Sequence, residues 1–144
     1  MRNRVAVLHG VNLDALDRRP AEHYGGFSLP ALEWRIEHFA RELRLDARFF
    51  QSNHEGEYVE ELHKAGDYAD GLLLNPGAWT HYAWSLRDAV EVSGLPAVEV
   101  HLSDVDAREP FRRISVLEDV RIAKVSGRGV EGYRAALEAL REAL

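Results

Sequence analysis

The sequence predicts an α/β fold, with a mostly parallel sheet covered by helices on both faces. Three observations carry that reading. Five short apolar runs recur along the 144 residues, helix-period segments separate them, and every run ends in polar residues. Strands alternating with helical segments build βαβ units, whose right-handed crossovers leave neighbouring strands parallel. Open sheets of this kind bind ligands in the crevice outside the carboxyl ends of their strands. The recurrence therefore describes a site as well as a fold.

The first run, Val5 to Leu8, leads into His9-Gly-Val-Asn12. From Leu13 to Phe27 no clean period follows, and the segment holds Asp14, Asp17, Arg18, Arg19, Pro20, Tyr24, Gly25 and Gly26. An irregular stretch this long in a compact domain is either disordered or a functional lid, and its position after the first strand hangs it over the crevice. Ser28 is a suitable N-cap for a helix with Pro30 in its first turn, and Leu29, Leu32, Ile36, Phe39 and Leu43 share one face of it. The second run, Ala47 to Phe50, stops at Gln51-Ser-Asn-His54. Ser52 and Glu55 then have capping-box spacing ahead of a helix that turns Val59, Leu62 and Ala65 inward.

The third run, Gly71 to Leu74, stops at Asn75-Pro-Gly77, and Thr80 is a candidate cap for a helix with Ala83, Leu86 and Val90 inward. The fourth, Ala97 to Val100, stops at His101-Leu-Ser103, and Asp106 to Arg113 is the least clearly helical connection. The fifth, Arg121 to Val125, stops at Ser126-Gly-Arg-Gly129, after which Val130, Tyr133, Leu137, Leu140 and Leu144 form the last helical face. Five strands with their helices leave no room for a sixth. The predicted architecture is a flavodoxin-like three-layer sandwich with strand order 2-1-3-4-5. It forms a single domain over residues 1–144, with a lid at about 13–27.

Composition narrows the function. A hydrophobic content of 46% with 29% charged residues is ordinary for a soluble globular protein. The net charge of −6 argues against both a nucleic-acid footprint and attraction to anionic membrane. With no cysteine there are no disulfides, thiolate nucleophiles or Cys-type zinc sites. No apolar run approaches the ~20 residues of a membrane span. Met1-Arg-Asn-Arg4 precedes too short an apolar run for a signal peptide, so a cytoplasmic protein is expected.

The residues Asn12, Asn75, His81, His101, Ser103 and Arg112 share neutral or cationic hydrogen-bonding character. They suit a small anionic, hydroxylated ligand better than a metal, which prefers clustered His and carboxylates. Neither GxGxxG nor a Walker pattern is present, so nucleotide binding has no support. Gly127-Arg-Gly129 is a weak anion-site signal, since such a pair more often makes a tight turn. Glu99 and His101 stand two apart, on one face of an otherwise apolar strand. A carboxylate there fixes the tautomer of an imidazole and raises its pKa, as a general acid requires; a structural buried pair is the alternative. A phenol such as Tyr24 is a poor base near neutrality, but a guanidinium from Arg18 or Arg19 would favour the phenolate. An unpartnered loop aromatic is the alternative there. Arg108 and Arg112 are four apart, fit for surface ion pairing or for recognising carboxylate and hydroxyl groups. Asn53 reads as a turn residue, and His9, His23, His38, His54 and His63 as solvated or structural.

Taken together the motifs resemble the type II 3-dehydroquinate dehydratases across almost the whole chain. The matching pieces are Gly10-Val-Asn-Leu13, Arg19 with Tyr24-Gly25, Gln51-Ser-Asn-His-Glu-Gly56 and Asn75-Pro-Gly-Ala-Trp-Thr-His81. Leu86-Arg-Asp-Ala89, Glu99-Val-His-Leu-Ser103, Ala107-Arg-Glu109, Phe111-Arg112 and Ser126-Gly127 follow in matching order and spacing. The resemblance implies a flavodoxin-like fold and a homo-dodecamer built from trimers. It also implies dehydration of 3-dehydroquinate in the shikimate or quinate pathway, by anti elimination through an enolate, without metal or other cofactor. By position, Tyr24 would be the base with Arg19 as its lid partner. His101 would be the general acid, oriented by Glu99, and Asn12 would help hold a water on the enolate. Leu102 and Ser103 would bind the substrate carboxylate, and Asn75, His81 and Arg112 the ring hydroxyls. Asp88 would reach in from a trimer neighbour, and Arg108 would be a supporting ion-pair residue.

The chain departs from the pattern at His9 and Val11, at Asp14 and Asp17 in the lid, where Asp17 competes with Tyr24 for Arg19, and at Arg19-Pro-Ala21. Further departures fall at Asp104, Pro110 and Arg128. Only Lys64 and Lys124 are available for an imine, one on an outer helix and one within a strand, which makes imine chemistry unattractive. Two alternatives stand beside the resemblance: a divergent paralogue acting on another cyclic hydroxy-keto acid, and a non-catalytic flavodoxin-like small-molecule-binding module.

Overall fold

The computed structural model describes residues Met1–Leu144. The apolar runs form β1 (Arg4–His9), β2 (Asp46–Gln51), β3 (Gly71–Asn75), β4 (Ala97–His101) and β5 (Ala123–Ser126). All pairings are parallel and the order is β2-β1-β3-β4-β5, as the sequence predicts. Every residue of β3 and β4 is buried, so apolar side chains point to both faces of these strands, and the polar exceptions Asn75, Glu99 and His101 are buried with them. Five helices complete the layers: α1 (Ala21–Tyr24), α2 (Leu29–Glu42), α3 (Glu55–Lys64), α4 (Trp84–Ser93) and α5 (Glu131–Ala143). The two-residue period of β1 divides the core. Val5 and Val7 pack with α2 and α5, whereas Ala6 and Leu8 pack with α3 and α4. No helix is long and apolar enough to cross a membrane.

Where local chemistry is simple, the elements match expectation. Ser28 Oγ accepts from the Ala31 N–H at 3.3 Å, with Pro30 in the first turn of α2. Leu29, Leu32, Ile36, Phe39 and Leu43 are all buried. Along α5 Tyr133, Leu137 and Leu140 are buried, while Val130 and Leu144 close the edges of the same cluster.

Two expected caps are not made. The N-cap of α3 is His54, and Ser52 Oγ instead accepts from the His54 N–H at 2.9 Å and donates to Glu57 at 2.7 Å. The inward face of α3 is Tyr58 and Leu62, followed by Ala65, and Val59 is only partly buried. Tyr58 wins the inner position because its hydroxyl donates to the Leu8 carbonyl at 2.9 Å and its ring meets Trp79 edge-on. Thr80 likewise caps nothing. It lies in a 3-10 turn (Gly77–His81), and its hydroxyl donates to Glu99 at 2.5 Å. A helix start near solvent can use water, whereas a buried carboxylate must find its donors inside the protein.

The segment after β1 is more regular than its sequence suggests. A 3-10 turn covers Leu13–Arg18, α1 follows, and Leu13 and Leu16 pin the segment to the core. Residues between Asp104 and Ile114 make two further 3-10 turns, Val105–Ala107 and Pro110–Arg113.

Close approach of backbones sets the floor of the crevice. The Gly10 N–H donates to the Asn75 carbonyl at 2.8 Å, tying the end of β1 to the end of β3. A methyl group on Gly10 would lie 2.5 Å from the Pro76 carbonyl carbon and closer still to its oxygen. Gly10→Ala is therefore expected to cost about 1–3 kcal/mol of stability. A urea midpoint equal to wild type would contradict this.

Candidate active site

Nine of the eleven candidate residues line one pocket at the carboxyl ends of β1, β3 and β4: Asn12, Arg19, Tyr24, Asn75, His81, His101, Leu102, Ser103 and Arg112. No acidic side chain joins them, so the lining is cationic and amide-rich, suited to an anion. No group of three or more His, Asp or Glu side chains could hold a metal ion. Neither lysine lines the pocket; Lys124 pairs with Asp106 at 3.5 Å and Lys64 is exposed.

Glu99 and Asp88 lie outside the lining. Glu99 sits beneath His101, 1% exposed, with Oε2 2.5 Å from His101 Nε2 and 2.5 Å from Thr80 Oγ1. Its Oε1 accepts from Ser115 Oγ at 2.7 Å and Arg121 Nη1 at 2.5 Å. Burial pushes the Glu99 carboxyl up. The hydrogen bond and charge of His101, with the Thr80 and Ser115 hydroxyls, outweigh it and hold the group down at about 2. Nε2 of His101 is thus assigned as the protonated nitrogen facing Glu99, which leaves Nδ1 free of the pair. Asp88 is exposed on α4, paired with Arg87 at 3.1 Å, and away from the pocket of its own chain.

A carboxyl held below its ordinary 4.5 stabilises the fold above that pH and loses the contribution as pH falls toward about 2. The shift corresponds to about 3 kcal/mol. Urea midpoints are expected to fall steeply over this window, and Glu99→Gln should flatten that part of the profile. Parallel profiles for the two proteins would refute the assignment.

His81 donates from Nδ1 to the Ile114 carbonyl at 2.7 Å, and its ring meets Phe111 edge-on. Burial chiefly, with His101 and Arg112 nearby, pushes its pKa below the ordinary 6.5. The ring is neutral at pH 7 and offers Nε2 as an acceptor. Asn75 is fixed at both ends of its amide, donating to the buried Tyr133 hydroxyl at 3.1 Å and accepting from the Gly77 N–H at 3.2 Å. Asn12 adopts φ 69°, a left-handed conformation that asparagine tolerates better than most residues. Its N–H donates to Asn53 Oδ1 at 2.8 Å, and Asn53 Nδ2 donates to Asp14 at 3.0 Å. Asn53 therefore braces Asn12 and Asp14 at the start of the segment after β1, rather than serving as a simple turn residue.

Tyr24 is not an unpartnered aromatic. Its hydroxyl accepts from Arg19 Nη2 at 2.6 Å and from Arg108 Nη1 at 2.7 Å. The Arg19 guanidinium also lies 4.2 Å from the centre of the Tyr24 ring. Arg19, rather than Arg18, is the arginine on Tyr24, and no ion pair joins it to Asp17. Arg108 reaches both Tyr24 and Ser103 Oγ, the latter at 3.3 Å, so it links Tyr24 to the residues just beyond β4. Arg112 does pair, with Glu109 at 2.8 Å, while lining the pocket. The Gly127 and Gly129 N–H groups donate to the Ser103 and Leu102 carbonyls at 3.1 and 3.3 Å, which ties down the end of β4 instead of holding an anion. Sequence reading missed Arg108 as a Tyr24 partner, Tyr133 behind Asn75, and Thr80, Ser115 and Arg121 around Glu99. Periodicity marks Tyr133 only as a core position of α5 and does not mark the others.

Fold and site together define an α/β protein whose sheet edge carries a cation-rich pocket, where a carboxylate–imidazole pair meets a phenol held by two guanidinium groups. The family model for dehydroquinase class II matches residues 3–141. The chain is 46% identical over 138 residues to the 3-dehydroquinate dehydratase of Halothermothrix orenii, covering 96% of this chain and 93% of that one. The type II dehydroquinase structure from Butyrivibrio crossotus superposes with a TM-score of 0.92 at 36% identity, over 97% of this chain and 98% of the other. That from Propionibacterium acnes gives 0.90 at 35% identity, over 99% and 98%. The chain belongs to the class II dehydroquinase family of hydro-lyases.

Proposed function

We propose that this protein dehydrates 3-dehydroquinate to 3-dehydroshikimate by anti elimination through an enolate. The observation that carries the reading is the pairing of Tyr24, under two guanidinium groups, with the Glu99–His101 pair across one pocket. Tyr24, as phenolate, removes the C2 proton, and the electron pair moves into the C3 carbonyl to form the enolate. Asn12 holds the water that stabilises the enolate oxygen. Collapse of the enolate expels the C1 hydroxyl, which His101 protonates so that water leaves. Glu99 keeps the imidazole oriented and charged until that transfer.

The remaining lining groups hold the substrate. The backbone N–H groups of Leu102 and Ser103, with the Ser103 hydroxyl, take the carboxylate. Asn75, the neutral His81 and Arg112 take the ring hydroxyls. Residues 13–27 act as the lid of a single catalytic domain, excluding water from the phenolate. The working form is a cytoplasmic homo-dodecamer built as a tetramer of trimers, in which Asp88 completes the pocket of a neighbouring copy. Its exposure away from its own pocket is consistent with that role.

The test is direct: purified protein is mixed with 3-dehydroquinate, and the conjugated enone absorbance of the product is followed. A rise proportional to enzyme is expected. A folded protein that gives none at high concentration would remove the reading.

A further inference from the structure

We propose that Arg121 is a positioning residue for the elimination: it holds Glu99 as a carboxylate through the whole cycle, so that His101 keeps the Nε2 proton facing Glu99 and gives its Nδ1 proton to the substrate. This rests on the reading of His101 as the general acid. Glu99 is 1% exposed and has four donors, two on each oxygen. They differ in what they can tolerate. The Thr80 and Ser115 hydroxyls lie 3.3 Å apart, and either can turn and accept from a protonated carboxyl. The imidazole can surrender its Nε2 proton to Glu99 and then accept it back. A guanidinium has no lone pair to offer and does not titrate in the working range. Arg121 is therefore the one partner that disfavours a protonated Glu99 in every hydrogen arrangement.

That constraint matters at two moments. Before the transfer, a buried carboxylate–imidazolium pair can collapse to neutral acid and neutral imidazole, because a low-dielectric interior disfavours separated charges. The collapsed imidazole keeps its Nδ1 proton but is a much weaker acid. After the transfer, the Nδ1 proton is on the departing oxygen, the C–O bond is broken and the imidazole is neutral. Glu99 has then lost one positive partner, and Arg121 remains as the other.

The geometry suits a fixed counter-charge. Arg121 stands two residues before β5, and its N–H donates to the Leu117 carbonyl at 3.0 Å. The next residue, Ile122, donates to the Ala97 carbonyl at 2.8 Å, at the start of the strand that carries Glu99. The Arg121 side chain is 15% exposed and does not line the pocket, so it acts through Glu99. Other groups face the pair: His81 and Arg112 from the 3-10 turns, Tyr58 from α3 and Lys124 from β5. None of them bonds to Glu99, and the Lys124 ammonium is engaged by Asp106 at 3.5 Å.

Arg121→Gln and Arg121→Lys separate this role from simple packing. With 3-dehydroquinate, the Gln variant is expected to lower kcat about tenfold while KM stays within about twofold, and the Lys variant to recover most of the rate. Carboxyl carbon NMR of Glu99, without substrate, supplies a second readout. Glu99 should take up a proton about one to three pH units higher in the Gln variant than in wild type or the Lys variant. The same protonation behaviour in the Gln variant and wild type would overturn the proposal, as would an unchanged kcat in an active protein. If the wild-type chain does not turn over 3-dehydroquinate, the elimination reading fails, and the NMR comparison still decides whether Arg121 keeps Glu99 ionised.

Discussion

Tyr24→Phe is expected to lower kcat by at least ~10² while leaving KM and the urea midpoint near wild type. The substitution removes one oxygen and keeps the ring against which Arg19 and Arg108 pack. What disappears is the acceptor on which both guanidinium groups converge, at 2.6 and 2.7 Å. Both guanidinium groups donate to this single oxygen, the atom that the base assignment requires. The loss should therefore fall on the proton-abstraction step rather than on binding. Steady-state rates from the enone absorbance check it, with exchange of the substrate's C2 proton into solvent as a second readout. A variant with near wild-type turnover would refute the base assignment.

His101→Ala is expected to produce a loss of similar size, at least ~10² in kcat, for a different reason. The imidazole is the one group that both lines the pocket and bonds to Glu99. Removing it leaves Glu99 with Thr80, Ser115 and Arg121, so the carboxylate stays satisfied and the fold should survive. The leaving hydroxyl then has no proton donor, while the base opposite is untouched. Exchange of the C2 proton should accordingly persist in His101→Ala and vanish in Tyr24→Phe. Equal exchange in the two variants would show that acid and base have not been separated correctly.

Local signals read well in this chain where one residue type has one common use. The five apolar runs, the Ser28 cap and the core face of α2 follow from propensity and period. The candidate site was partly legible for a related reason: polar groups at strand ends must share the crevice once the strands are parallel, and Asn12, Asn75, His101 and Ser103 do. Reading failed where a polar side chain had several possible partners. Thr80 and Ser52 both looked like helix caps, yet one serves Glu99 and the other Glu57. On α3 Leu62 and Ala65 are buried as expected, but Tyr58 takes the inner place expected of Val59 because its hydroxyl reaches the Leu8 carbonyl, a contact spanning 50 residues of sequence.

By itself the sequence determined the sheet, its strand order, and which side chains gather at its carboxyl edge, because hydrophobic period and crossover handedness are properties of short segments. Tertiary structure alone decided that Arg108 rather than an acid completes the surroundings of Tyr24, that Tyr133 steadies Asn75, and that Arg121 stands behind Glu99. A charged or hydroxyl group chooses its partner by distance, direction and exclusion of water. Those become defined only when elements far apart in the chain have packed.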